Sequence, residues 1–225
     1  MRYIPPIFIT GPARSGTSLV GGVFSRLGVY GGKMKIGNRW NPKGYFENTH
    51  LRDKVMKPYL EDCGLDTRMQ ASIPDRKNIK SFRHLKMIFM SSLYEQGYLG
   101  GHWFYKHAGL ALTWPLFHEH FPEASWIFVK RDIPSIVKSL MATAFMRAFK
   151  TEAEWEMWVG EFYKSLEEMQ EAGLDVRTIE VNKIIAGDLS EVQNASEEIG
   201  IVWSKDKLRR IQEFIEPELW HGEKQ

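Results

Sequence analysis

The amino-acid sequence predicts an α/β fold with a central parallel sheet of about five strands flanked by helices. Three observations carry this reading. Short apolar runs alternate with longer segments of helical period, the pattern of strands that return through helical crossovers. A glycine-bearing loop, Gly11-Pro12-Ala13-Arg14-Ser15-Gly16-Thr17-Ser18, stands between the first apolar run and the first helix-period segment. The strongest apolar run, Ser125-Trp126-Ile127-Phe128-Val129-Lys130-Arg131, passes directly into another helix-period segment.

The elements follow in order. Residues 4–10 read as the first strand. Residues 17–27 read as a helix with Leu19, Val20, Val23, Phe24 and Leu27 on its apolar face, ended by Gly28. Gly21 and Gly22 weaken that helix, so close contact with the sheet is expected there. Residues 29–47, rich in Gly, Lys, Asn and Pro, form a long loop of the kind that serves function. Helices are expected over 51–60, 79–94 and 110–120, and a short strand over 103–106. After the strand at 125–131 a helix is expected over 134–149. Residues 152–171 form a long amphipathic helix with Trp155, Trp158, Phe162, Leu166 and Met169 on one buried face. A strand at 176–181 and short helices finish the chain.

Composition sets limits on function. The 225 residues suit one domain spanning 1–225, and a hydrophobic content of 43% supplies a packed core. With 30 basic and 28 acidic residues the net charge is only +2, so a nucleic-acid partner is not expected. Cys63 is the single cysteine, which leaves no intramolecular disulfide and no Cys-based zinc site; a buried thiol is expected. No apolar run approaches the ~20 residues that cross a bilayer, and the first run is too short and Pro-interrupted for a signal peptide. A cytoplasmic protein without a membrane partner is therefore expected. His118-Glu119-His120 is not read as a metal site, because i and i+2 residues point to different sides of a helix. The acidic run within 152–171 reads as a solvated helix face.

The chemistry lies in the loop. Glycines let the backbone curl so that successive N–H groups point inward, and the following helix adds partial positive charge at its N-terminus. Gly11, Ala13, Arg14, Ser15, Gly16, Thr17 and Ser18 are thus candidate phosphate-binding residues. The loop approaches a Walker A motif but ends Gly16-Thr17-Ser18, without the lysine that reaches the β/γ-phosphates of a nucleoside triphosphate. A second candidate pair is Arg131 and Ser139. The Arg ends a strand, where open α/β sheets bind ligands, and the Ser eight places on faces the same crevice from the next helix.

A basic residue followed by Ser-Gly-Thr-Ser resembles the 5′-phosphosulfate loop of sulfotransferases that use 3′-phosphoadenosine 5′-phosphosulfate (PAPS). A strand-ending Arg with a Ser eight residues later resembles that family's 3′-phosphate site. Asn41-Pro42-Lys43-Gly44-Tyr45-Phe46-Glu47 looks like a loop of bacterial members, Lys106 stands where many members carry a Lys facing the transferred group, and Phe214-Ile215-Glu216-Pro217-Glu218-Leu219 is similar to their closing segment. The chain departs from the cytosolic branch, which has a catalytic His two residues after its Lys; here that place holds Ala108, and His107 is one place off. The Arg-Lys-Gly loop of that branch is also absent.

The resemblance implies a fold similar to P-loop nucleotide kinases. It implies transfer of a sulfuryl group from PAPS to a hydroxyl or amine of a small-molecule or carbohydrate acceptor, leaving adenosine 3′,5′-bisphosphate. Arg14, Lys106, Glu47 and His107 are the candidate catalytic residues. Clamping by Arg14, Lys106 and loop N–H groups is expected to suffice without a metal. Glu47 and His107 compete as general base; strand alternation aims Lys106 and His107 to opposite faces, which favours Glu47. The loop after Val29 and the segment 65–79 are expected to shape the acceptor pocket. An ATP-dependent small-molecule kinase and a non-catalytic nucleotide-binding module are the rival readings.

Overall fold

The computed structural model describes residues 3–34, 37–38 and 41–216. Strands β1 (Ile7–Thr10), β2 (Phe104–Lys106), β3 (Ser125–Lys130) and β4 (Val176–Glu180) form one parallel sheet in the order β2-β1-β3-β4. The helices are α1 (Thr17–Arg26), α2 (Lys57–Asp62), α3 (Leu85–Glu95), α4 (Trp114–His120), α5 (Ile133–Met141), α6 (Glu152–Glu171), α7 (Val181–Ile185), α8 (Ser190–Glu198) and α9 (Lys205–Phe214). β1 is central, and all four of its residues are buried, as both faces of a parallel sheet require.

The sheet's side chains alternate between two cores. Phe8, Tyr105, Trp126 and Phe128 face a large aromatic core shared with residues of α3, α4, α5 and α6. Ile7, Ile9, Phe104, Ile127 and Val129 face a second core with residues of α1, α8 and α9. In register, Ile9 pairs with Lys106 on one side and Ile127 on the other. The C-terminal ends of β1, β2 and β3 thus lie side by side and feed the loops that build the site.

Among the described residues the sheet has four strands rather than about five. The place beyond β2 is held by a single bridge from Tyr30 to Trp103, with Tyr30 N–H donating to the His102 carbonyl at 2.9 Å. The chain then turns away through Gly31 and Gly32, the latter at φ +70°. The helix expected from residue 79 begins only at Leu85, because Phe82 stacks on Tyr59 with ring centroids 5.0 Å apart and His84 takes φ 67°. The helix expected to reach residue 149 stops at Met141, and Phe149 packs edge-on against Trp155 at 4.9 Å. α6 spans Glu152–Glu171 as expected. Thr151 and Glu154 form a reciprocal capping box at its start, and Trp155 and Trp158 are buried.

Further expectations are refined. Gly21 does approach the sheet, since an added Cβ would lie 3.7 Å from Lys106 Cγ of β2, but the nearest neighbours of both glycines are aromatic: an added Cβ would lie 3.0 Å from Phe46 Cβ at Gly21 and 2.2 Å from the Phe214 ring at Gly22. The segment 65–79 packs on α6. Trp158 Nε1 donates to the Met69 carbonyl at 2.9 Å, and Arg76 pairs with Glu168 at 2.6 Å and Glu161 at 3.2 Å. Two carboxylates of the acidic run are therefore ion-paired and not simply solvated. Cys63 is half-buried. Among the described residues no helix is long and apolar enough to cross a membrane.

Candidate active site

The loop between β1 and α1 owes its shape to three positive backbone angles: Gly11 at φ 138°, Arg14 at 72° and Gly16 at 100°. At Gly11 a side chain is sterically barred, since an added Cβ would lie 2.5 Å from the Val129 carbonyl oxygen of β3. Arg14 carries its left-handed conformation without glycine's freedom, a local strain of the kind found at ligand sites. Gly16 caps α1 with no side-chain hydrogen bond. The first N–H groups of a helix have no intrahelical partner, so the cap leaves that end of α1 with donors to offer.

A cavity of about 220 Å³ opens above this loop. Ala13, Arg14, Gly16, Thr17 and Ser18 line it. Gly11 and Ser15 stand behind the wall: both are buried, and the Ser15 Oγ lies beside Gly11 with no hydrogen-bond partner among the described residues. Ser15 N–H donates to the Pro12 carbonyl at 3.0 Å, so this residue shapes the turn.

The strand-end pair joins the loop directly. Asp132 caps α5 by accepting from Ser135 N–H at 2.9 Å, while Arg131 stays buried and lines the cavity. Arg131 Nη1 donates to the Arg14 carbonyl at 3.2 Å, and Arg14 Nε donates to Ser139 Oγ at 2.9 Å. The Tyr163 hydroxyl brackets the Arg131 backbone, donating to its carbonyl at 2.5 Å and accepting from its N–H at 3.3 Å. Burial pushes the guanidinium pKa of both Arg14 and Arg131 down. Among the described residues no carboxylate forms an ion pair with Arg14.

On the other side, Lys106 ends β2 and is almost fully buried. Its Nζ reaches Glu47 Oε1 at 3.0 Å and Ser18 Oγ at 3.3 Å. Glu47 Oε2 meets Arg52 Nη1 at 3.2 Å. Burial pushes the Glu47 carboxyl pKa up, but Lys106, His107 and Arg52 outweigh it and hold the group at about 2. Lys106 and Glu47 line the cavity. His107 does not: it stacks parallel to Tyr105 at 6.2 Å, and its Nδ1 accepts from Gly109 N–H at 3.1 Å. Burial lowers its pKa, against the opposing pull of the Glu47 carboxylate.

The rest of the wall comes from loop 41–47, Phe145, Ile185, Phe214, Ile215 and Glu216. Lys43 ties loop 41–47 to the end of α9, donating to the Phe214 carbonyl and pairing with Glu216 at 2.7 Å. Of the closing segment singled out in the sequence, Pro217, Glu218 and Leu219 lie outside the described residues. Residues 65–79 do not line this cavity, but Arg68 and Gln70 hold the carbonyl of the lining residue Phe145 at 3.4 and 3.5 Å. Sequence reasoning missed Arg52 and Tyr163, which read there as ordinary helix residues. Among the described residues no cluster of His, Cys, Asp and Glu is arranged to hold a metal.

Comparison with solved structures gives the fold a context. The chain superposes on sulfotransferase STF9 from Mycobacterium avium with a TM-score of 0.53 at 15% identity, covering 95% of this chain and 68% of that one. For the sulfotransferase domain from the curacin biosynthetic pathway the TM-score is 0.59 at 13% identity, with 93% and 78% covered. For the sulfotransferase domain from the Synechococcus PCC 7002 olefin synthase it is 0.54 at 13%, with 100% and 91% covered. No curated protein gives a significant sequence match. At such identities the superpositions speak to the fold; the family follows from the sequence itself. Residues 5–203 match the sulfotransferase family model, a span that holds both the phosphate loop and the strand-end pair, and the chain belongs to the sulfotransferase family.

Proposed function

We propose that this transferase moves a sulfuryl group from PAPS to a hydroxyl or amine of a small-molecule or carbohydrate acceptor. The observation that carries the reading is the meeting of Arg14, Arg131 and Lys106 around one cavity, at the ends of three adjacent strands. A partly desolvated guanidinium such as Arg14, with no carboxylate partner among the described residues, favours an anionic ligand. The donor set suits a nucleotide with phosphate at both ends of its ribose. Arg14, the loop N–H groups and Ser18 would hold the 5′-phosphosulfate, and Arg131 with Ser139 the 3′-phosphate. When bound, PAPS supplies the activated sulfuryl group.

Each residue then has a defined task. Lys106 places a positive charge beside Ser18 and the loop, where it would stabilise negative charge on a bound donor's phosphosulfate end. Glu47, ionised and within the cavity, is placed to take the acceptor's proton. His107 is turned into the opposite core and is given no part in proton transfer. The rival kinase reading lacks its lysine: the cation here comes from β2 and is paired with Glu47, not from the loop itself.

Titration calorimetry with adenosine 3′,5′-bisphosphate, AMP and ATP, each with and without EDTA, tests the proposal. The bisphosphate is expected to bind far more tightly than AMP, and equally well in EDTA. Tight Mg²⁺-dependent ATP binding that is indifferent to a 3′-phosphate would establish the kinase reading in its place.

A further inference from the structure

The far side of Glu47 bears on how its carboxylate is aimed, and the inference rests on Glu47 being the proton acceptor. We propose that Arg52, locked by Asp53, is a positioning residue for the reaction: it pins Glu47 Oε2 behind the cavity wall and leaves Oε1 alone to face Lys106 and the acceptor.

The geometry is specific. The two carboxylate oxygens have separate partners, Oε1 with Lys106 at 3.0 Å and Oε2 with Arg52 at 3.2 Å. Arg52 does not line the cavity, so its fork is turned to the protein. Asp53 grips the same guanidinium with two bonds, from Nε at 2.9 Å and from Nη2 at 2.6 Å, and Lys57 pairs with Asp53 at 2.7 Å. The result is a line of alternating charges, Lys106, Glu47, Arg52, Asp53 and Lys57, running from the end of β2 into α2. A planar guanidinium held by two parallel bonds keeps a fixed direction, which an ammonium on a flexible stem does not.

The backbone around it is equally constrained. Leu51–Met56 forms a π-helical turn, a rare geometry that is frequent at functional sites. Asn48, almost fully buried, accepts from Leu51 N–H at 3.1 Å and donates to the Gly31 carbonyl at 3.1 Å. Phe46 on the other flank takes φ 53°. Glu47 therefore enters the cavity from a chain fixed on both sides. Three groups act on its charge: Lys106 from β2, His107 just beyond it, and Arg52 from the π-helical turn; the nearby Tyr105 hydroxyl is kept neutral by burial and by the Glu47 charge itself. Arg52 is the one of these that meets Oε2 and lies outside the cavity.

The test follows the Glu47 carboxyl by carbon NMR in ¹³C-Glu-labelled protein, with Glu47→Gln used to assign its signal. Arg52→Gln is expected to raise the titration of Glu47 by about one to three pH units. The acid limb of kcat/KM should move to higher pH in step, kcat should fall by up to ~10²-fold, and bisphosphate affinity should be unchanged. Arg52→Lys should return the titration to its original place while recovering only part of kcat. An unmoved Glu47 titration in Arg52→Gln would overturn the inference. So would a pH-independent loss that falls equally on bisphosphate affinity, which marks a merely structural role. Full turnover in Glu47→Gln with normal bisphosphate binding would remove the base assignment, and Arg52's role with it, while leaving the proposed donor intact.

Discussion

Replacing Glu47 with Gln is expected to lower turnover by ~10²–10⁴-fold and to leave the affinity for adenosine 3′,5′-bisphosphate nearly unchanged. With its pKa near 2, the carboxyl is fully ionised at neutral pH and ready to accept a proton. It is a weak base while Lys106 holds it, so its contribution depends on placement and on how far Lys106 is drawn toward other anions. Gln keeps the shape and can still accept from Lys106 at Oε1, but it takes no proton. The competing residue is poorly suited. His107 Nδ1 already accepts the Gly109 N–H, so in the neutral ring Nε2 carries the proton and no lone pair is left to serve as base. His107→Ala should therefore cost far less than Glu47→Gln, as read from kcat under saturating donor. Near-normal turnover in Glu47→Gln beside an inactive His107→Ala would reverse the assignment.

Arg131→Ala should remove most of the preference for adenosine 3′,5′-bisphosphate over AMP. A hydrogen bond to a charged group contributes about 1.5–3 kcal/mol, so the affinity ratio is expected to fall by roughly 10- to 150-fold for one such contact. The fold should tolerate the change, because Tyr163 holds the backbone of residue 131 and Asp132 caps α5 without help from the guanidinium. Arg14→Ala should behave differently. Its Nε holds Ser139 Oγ, so losing it weakens the 5′ end and also frees a residue of the 3′ end. Calorimetry on both variants with both nucleotides separates these outcomes. An unchanged ratio in Arg131→Ala would show that the strand end does not hold the 3′-phosphate.

Much of the site was legible in the sequence because its chemistry is local. The loop from Gly11 to Ser18 announces itself by glycine spacing, and Arg131 with Ser139 by a strand that runs into a helix. The opposite facing of Lys106 and His107 followed from strand alternation alone, and α6 from the spacing of Trp155, Trp158, Phe162, Leu166 and Met169 on one face. What escaped depends on contacts between distant segments. Nothing local marks Arg52 as the partner of Glu47, since Arg-Asp within a helix-period segment reads as solvent-facing. Gly21 and Gly22 signal a close approach, but beside Lys106 of the sheet the nearest side chains, Phe46 and Phe214, come from the long loop and the last helix. The segment 65–79 reads in sequence as a shaper of the acceptor pocket, with nothing local to show that Arg76 and Met69 tie it to α6. The count of strands failed where Tyr30 adds one bridge and the glycines after it turn the chain away.

The most direct measurement is to incubate the protein with ³⁵S-labelled PAPS and a panel of hydroxyl and amine acceptors in EDTA, and to separate the products. The expected result is labelled sulfated acceptor with an equal amount of adenosine 3′,5′-bisphosphate, both lost in Lys106→Ala. Intact PAPS throughout, beside phosphoryl transfer from Mg·ATP to the same panel, would contradict it.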